Sequence, residues 1–380
     1  MEEVRVVEVR RPAHADAPPS PAVLAWHEIF AESMRDVLSH DDFADPPAAL
    51  VAKLAEQRHA ARTLLLAVRD DAGAAGAPDP SHVLGYASIF LPLTDNLHLA
   101  EVEVVVRPAA RHRGIGTTLW HAVEERIRST GRSTVTTWTS HAAEAPEGTV
   151  AVVPRTGVGR VPADDDAARF ARSHGFSLEQ GERQSTLALP VDPARAAAWR
   201  AEAAAVAGAD YRLVQWCDRA PEEWLDTLAD LQRRMSVDVP LGGLDLREEA
   251  WDARRIRDME EEMARSEQRY VLSAAEHVPS GELAAFTYVV LPRSLPEVAY
   301  QYNTLVHGEH RGRRLGLLVK AANLELLART QPAVRRLHTW NAGGEPAHAG
   351  HQRAHGVRAG EPGGRLATPV RGRERGRGRA

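Results

Sequence analysis

An arginine- and glycine-rich turn occurs twice in this chain, about 200 residues apart, each time between an apolar run and the start of a helix. The first is Arg111-His112-Arg113-Gly114-Ile115-Gly116 and the second Arg311-Gly312-Arg313-Arg314-Leu315-Gly316. A glycine at such a turn lets a ligand approach the backbone closely. The first N–H groups of the helix have no intrahelical partner and lie at the positive end of its dipole. Together these features make an anion site suited to a phosphate or pyrophosphate. Arg111 and Arg113 can add charge-assisted bonds to the same group. In dinucleotide-binding folds such a loop follows the first strand, whereas several elements precede it here.

The pattern around the first turn predicts a mixed α/β unit. Residues 4–9 alternate as a strand, 22–37 and 47–58 read as helices, and 62–68, 83–93 and 98–106 read as strands. A helix follows the glycines with Leu119, Trp120, Val123 and Ile127 on one face. Residues 134–140 then form a strand, 164–174 a helix and 183–189 a closing strand. The order repeats after an Ala-rich helix at 194–207. Strands are expected at 211–216, 269–274, 283–291, 298–306 and 336–340, and helices at 221–235, 246–266 and 315–329. Thr137-Trp138 is echoed by Thr339-Trp340, so the two halves read as copies of one domain.

Composition narrows the class. With 380 residues, 43% of them hydrophobic, the chain can build two cores. The net charge of -5 gives no global reason to expect nucleic acid or membrane as a partner. Cys217 is the only cysteine, which excludes a disulfide framework and a cysteine metal cluster. No apolar stretch of spanning length and no leader-like start are visible, so a cytoplasmic protein is expected.

The run from Val104 to Thr117 resembles the GNAT N-acetyltransferase superfamily, whose signature is Val-x-Pro-x-x-Arg/Gln-x-x-Gly-x-Gly/Ala between the fourth strand and third helix. Val106, Pro108, Arg111, Gly114 and Gly116 match it one for one. The resemblance implies two tandem α/β (α+β mixed-sheet) acyl-CoA N-acyltransferase domains. The first covers 1–190 and keeps the acetyl-CoA loop; 191–209 is a connecting helix; the second covers 210–342 and is truncated. It further implies that Val104, Val106, Arg111, His112, Arg113, Gly114, Ile115, Gly116 and Thr117 hold acetyl-CoA. No metal takes part, and the acceptor is an amine of a small molecule or peptide. The second loop is less complete. Val306, Arg311, Gly312 and Gly316 are similar to the pattern and Asn341 suits a cofactor-touching position, but Gly308 replaces the proline and Arg314 the first glycine, where a side chain could block or cap the phosphate. Met235, Asp238 and Pro240 fit the two-domain relatives of this type.

Acetyl transfer needs a base for the amine and an acid for the leaving thiolate. Glu101 and Glu103, two apart and therefore on one face of a strand, stand where the family places its base. The acid of the family, a tyrosine four residues before a Gly-Phe pair, is replaced by Ala171 ahead of Gly175-Phe176. That loss supports an alternative, an acyl-CoA-binding or regulatory tandem protein. His174 reads as an exposed helix-end residue, and Tyr300 and Tyr302 as packing residues.

From Gly343 onward, Gly, Arg, Ala, Pro and His dominate and apolar periodicity ends. Taken alone, 343–380 is a disordered basic tail whose Arg/Gly run could touch RNA. Read one base out of frame, codons for residues 350–368 can instead spell A-I-N-E-R-M-G-F-E-R-V-S-R-V-A-V-W-Q-L. That string is a helix end, a Gly-Phe pair and an alternating strand, the parts the second domain lacks, and it predicts a frameshift near Gly343–Gly344.

Overall fold

The computed structural model describes residues 4–69, 79–154, 157, 159–238, 244–342 and the backbone of 358–369. The first half runs β1 (Val4–Glu8), α1 (Pro21–Leu38), α2 (Pro47–Ala55), β2 (Ala60–Arg69), β3 (Val83–Pro92), β4 (Leu99–Val106), α3 (Ile115–Arg128) and β5 (Thr134–Ser140). A short hairpin, β6 (Ala151–Val152) and β7 (Val161–Pro162), precedes α4 (Asp166–Ser173) and β8 (Ser177–Ala188). Helix α5 (Pro193–Ala207) leads into β9 (Tyr211–Cys217), α6 (Leu225–Met235), α7 (Ala253–Arg265), β10 (Gln268–His277), β11 (Glu282–Pro292) and β12 (Val298–Val306). The last elements are α8 (Leu315–Thr330), β13 (Arg336–Ala342) and β14 (Arg358–Pro369).

The strands join one 12-stranded sheet in the order β1-β2-β3-β4-β5-β14-β8-β13-β12-β11-β10-β9. Among the described strands only β4 with β5 and β12 with β13 run parallel. Those are the pairs whose crossover contains the glycine turn and a helix, as parallel neighbours require. Each half covers its sheet with helices. Leu119, Val123 and Ile127 of α3 pack on Ile89 and Val102, and Leu228 and Leu231 of α6 pack with Ile256 and Phe286. No helix among the described residues is long and apolar enough to cross a membrane.

Two expectations about the elements change. The pattern predicts a helix across 246–266, but α7 begins only at Ala253, capped by Asp252, whose carboxylate accepts the Arg255 N–H at 2.7 Å. The preceding backbone is used elsewhere. Arg247 N–H donates to Asn96 Oδ1 at 2.7 Å, Glu249 N–H to Ser236 Oγ at 3.1 Å and Ala250 N–H to Asp95 Oδ2 at 3.2 Å. Backbone donors engaged by side chains compete with the helical ladder.

The second change concerns the tail, expected to be disordered over 343–380. Residues 358–369 form a strand; 343–357 and 370–380 lie outside the described residues. Strand β14 fills the slot between β5 and β8, pairing antiparallel with both. Strand β8 pairs on its other side with β13 of the second half, so the closing strands are exchanged between the repeats. Unpaired N–H and C=O groups on β5 and β8 are a template that a backbone can satisfy whatever its side chains. The segment suits a central strand poorly: Pro362 lacks a donor and stands opposite Arg183, and Gly360, Gly363 and Gly364 surround it. The out-of-frame reading puts E-R-V-S-R-V-A-V-W-Q-L over 358–368, the same stretch. Restoring that frame is therefore expected to raise the thermal midpoint by several degrees, since each buried apolar side chain is worth roughly 1.5–3 kcal/mol. Thermal melts of the two chains check this, and an unchanged or lower midpoint would contradict it.

The halves are also pinned by loops. Asp42, between α1 and α2, takes Arg336 Nε and Nη2 at 2.8 and 3.0 Å and His338 Nε2 at 2.8 Å. Phe43 beside it lies against His338 and Trp340, with ring centres 4.9 and 5.0 Å away. Burial works to raise the Asp42 carboxyl, and the bonds and charges of Arg336 and His338 outweigh it, holding the pKa below the usual range. Its stabilisation is thus present above the ordinary carboxylate pKa and is lost as pH falls through the lowered value. Asp42→Ala should cost about 3 kcal/mol, the low end for breaking a buried pair, because Arg336 keeps 41% side-chain exposure and rehydrates. Denaturant unfolding measures the loss.

Candidate functional site

Strand β4 ends at Val106, and a 3-10 turn follows, Pro108–Ala110, closed by Ala110 N–H to Arg107 O at 2.8 Å and Arg111 N–H to Pro108 O at 3.3 Å. The chain then passes through the left-handed region twice, at His112 (φ 62) and Gly114 (φ 86), before α3 begins. No side chain caps α3, and its first recorded backbone bond runs from Thr118 N–H to Gly114 O at 3.0 Å. The amides ahead of Thr118 therefore face outward at the dipole's positive end. Gly116 packs closely on α4: a Cβ there would sit 3.1 Å from the Phe170 ring, which would have to shift by a few tenths of an ångström. His112 Nε2 meets Asp166 at 2.9 Å, tying the loop to the same helix.

The second loop repeats this geometry bond for bond. His310 N–H reaches His307 O at 2.9 Å, Arg311 N–H reaches Gly308 O at 3.3 Å, and Leu318 N–H reaches Arg314 O at 3.0 Å. Its left-handed residues are Gly312 (φ 79) and Arg314 (φ 57), so glycine and non-glycine have exchanged places. The guanidinium of Arg314 pairs with Glu202 on α5. Gly316 has ordinary room, with Val306 3.6 Å from a Cβ built there.

The loop arginines have protein partners. Arg111 pairs with Asp36 at 2.5 Å and donates to Ser33 Oγ at 3.2 Å, anchoring the loop to α1. Arg113 donates to Ala109 O at 2.9 Å. Arg311 lies 3.6 Å from Asp238 and donates to Val306 O at 3.3 Å. An anion held at the first loop would thus rest on backbone amides, with guanidinium charge at the rim.

Beside each loop the parallel strands part. Strand β4 pairs with β5 only from Leu99 to Val102, and β12 with β13 only from Val298 to Tyr300. Beyond these points the strands enclose a cavity of about 1840 Å³ that spans both halves. Val104, Val106, Arg111, His112, Gly114, Ile115, Gly116 and Thr117 line it from the first half, and Arg311, Gly312, Arg314, Gly316 and Asn341 from the second. Asn341 Nδ2 is buried with no hydrogen-bond partner among the described residues. A chain with an anionic end and amide groups fits this shape: amides for the anion at the loop, and open strand edges and Asn341 for hydrogen bonds along the arm.

The two strand glutamates separate. Glu101 faces Thr136 where β4 and β5 are still paired and is exposed; it does not line the cavity. Glu103 is the first residue beyond the parting, lines the cavity and accepts the Tyr86 hydroxyl at 2.5 Å. Burial pushes its carboxyl up to about 7, helped by the negative charges of Glu101 and Asp45, with the Tyr86 bond and Lys53 pulling the other way. Lys53 itself pairs with Asp45 at 2.6 Å, and both line the same cavity. Tyr86, Asp45 and Lys53 match no motif; only the fold brings them to Glu103. From the second half Tyr302, 48% exposed, and Tyr300 also line the cavity. Ala171 is buried at the position expected for an acid. His174 is half-buried against Trp120 and Phe170 and outside the cavity lining, and burial lowers its pKa.

Residues 24–146 match the model of the acetyltransferase (GNAT) family. Comparison with curated proteins gives no match. Among solved structures, a tandem GNAT protein from the clavulanic acid biosynthesis pathway aligns over 98% of this chain and 100% of its own, at 23% identity and TM-score 0.70. A GCN5-related N-acetyltransferase from Sphaerobacter thermophilus aligns over 97% and 96%, at 16% identity and TM-score 0.55. The glucosamine N-acetyltransferase region of a fungal multi-domain GH3 β-N-acetylglucosaminidase covers 96% of this chain and 38% of that one, at 14% identity and TM-score 0.57. Over residues 24–146 the chain is thus similar to the acetyltransferase (GNAT) family, and the whole chain has a GNAT fold. Its architecture is that of the tandem GNAT proteins, two such units sharing one sheet.

Proposed function

We propose that the chain transfers an acetyl group from acetyl-CoA to the amine of a small molecule or peptide, and that the first loop and Glu103 carry the reaction. The single observation behind this reading is the placing of Glu103: a partly buried carboxylate with pKa about 7, in the cavity into which the anion-binding loop opens. Acetyl-CoA would bring a thioester carbonyl already activated for attack. The amides before Thr118 would bind its pyrophosphate, and the free edge of β4 from Glu103 to Val106 would orient its arm. Glu103 takes one proton of the incoming ammonium, and the neutral amine attacks the thioester carbonyl. As the C–N bond forms the C–S bond breaks, and the departing thiolate takes up the second proton that the nitrogen loses, leaving as the free thiol. A base with a pKa near neutrality suits the first of these proton transfers at physiological pH. Tyr86 orients the carboxylate and is a poor acid itself, since burial and the neighbouring Glu103 raise its pKa well above the ordinary tyrosine value. The second half would supply one wall of the acceptor space through Tyr300 and Tyr302, which line the same cavity. A cytoplasmic setting belongs to the same reading.

Ala171 favours a second reading, an acyl-CoA-binding or regulatory protein with little turnover. A thiol-release assay over a panel of amines separates the two. Transfer requires acceptor-dependent release of coenzyme A thiol that Glu103→Gln removes. The binding reading requires acetyl-CoA binding with no release above buffer.

A further inference from the structure

The second loop departs from the first at three neighbouring positions of its 3-10 turn. Arg107, Ala109 and Ala110 in the first half correspond to His307, Glu309 and His310 in the second. One ligand atom from each of these three residues lies within 4.8 Å of the other two. The turn that holds them is closed by the same backbone bonds as in the first loop, so the spacing is set by the fold. His310 is oriented from behind: its Nδ1 lies 2.8 Å from the Tyr211 hydroxyl, which also receives Arg313 Nη1 at 2.5 Å. The tautomer in which His310 Nδ1 donates to the Tyr211 oxygen leaves the Nε2 lone pair for an ion. Such an outer hydrogen bond is how proteins fix the tautomer of a ligating imidazole. His307 Nδ1 accepts the Glu309 N–H at 3.3 Å, a long bond that ligation can replace, and its ring centre lies 5.6 Å from that of His310. His277 stands next to His310, ring centres 4.7 Å apart.

We propose that His307, Glu309 and His310 bind a divalent transition ion of the zinc class at the root of the second loop. Two imidazoles and one carboxylate, with a position open to water, are a zinc-type donor set; magnesium and calcium favour all-oxygen shells. The ion would clamp the turn leading into Gly312 and Arg314 and, through Tyr211, couple it to β9. The site lies apart from Glu103 and the first loop, and the proposal is independent of the transferase reading.

The test uses the full chain, stripped with EDTA and dialysed, titrated with ZnCl₂ by calorimetry and with CoCl₂ by visible absorption. Because the chain has 17 histidines, the comparison is with His307→Ala/His310→Ala, whose fold is checked by circular dichroism. The expected result is one tight zinc equivalent and intense cobalt d–d bands in the wild type, both lost in the double variant. Tyr211→Phe should weaken zinc about tenfold, as loss of an outer-sphere partner does. Equal zinc binding by wild type and double variant would overturn the proposal. So would a wild-type cobalt spectrum showing only weak octahedral bands, a result that does not depend on how the variants fold.

Discussion

Gly114→Glu is expected to weaken acetyl-CoA binding at the first loop at least about 100-fold, or about 2.7 kcal/mol. Gly114 is the left-handed residue at the start of α3, where the uncapped amides converge. A glutamate there puts an anion where the pyrophosphate must sit and adds bulk to a cradle built without a side chain. Backbone strain alone does not produce this result. Arg314 holds the same left-handed conformation at the same place in the second loop, φ 57, and that loop keeps its hydrogen bonds. Gly114→Ala is the control: it carries the strain of about 1–2 kcal/mol but no charge, and should bind better than the glutamate variant. Calorimetry on folded protein measures both, and unchanged affinity in Gly114→Glu would remove the loop from the account.

Glu103→Gln should lower turnover by about 10² to 10⁴, the usual worth of a general base, and leave acetyl-CoA affinity intact. The pH dependence is more specific. With the carboxyl near 7, wild-type kcat/KM should rise with pH through that value and then level off, because the base acts when deprotonated. The limb should vanish in Glu103→Gln. The Tyr86 hydroxyl bond lowers the Glu103 pKa and the Glu101 charge raises it. Tyr86→Phe should therefore move the limb upward, and Glu101→Gln should move it downward with little loss of rate. Folding carries a matching signature. A carboxyl whose pKa rises on folding binds more protons in the native state between about 4.5 and 7, so its cost to stability grows as pH rises through that window. Glu103→Gln should flatten that slope. Full activity in the double Gln variant of Glu101 and Glu103 at every pH would exclude both.

The loops were legible because their constraint is local. The glycines, the proline and the strand before them define a turn that the fold keeps, and the 200-residue repeat carried the architecture with it. The strand run 134–140 agrees with β5 to the residue, and the helix at 22–37 falls within α1. What failed was decided by distant partners. Residues 246–252 have helical patterning but lose their amides to Asn96, Asp95 and Ser236. Alternation put Glu101 and Glu103 on one face and could not separate them. Their difference comes from where β5 leaves β4, a property of two strands more than thirty residues apart in the chain. The arginines named for the phosphate also have protein partners, Asp36, Ala109 O and Asp238, which the motif does not reveal. The exchange of β8 and β14 between the halves is a matter of topology that strand propensities do not contain.

The most direct measurement is a crystal structure of the full chain grown with acetyl-CoA. The pyrophosphate is expected on the backbone amides from His112 to Thr117, the arm along β4 beyond Val102, and the thioester in the cavity beside Glu103. A cofactor whose pyrophosphate sits only at the second loop, or whose thioester lies out of reach of Glu103, would contradict that placement.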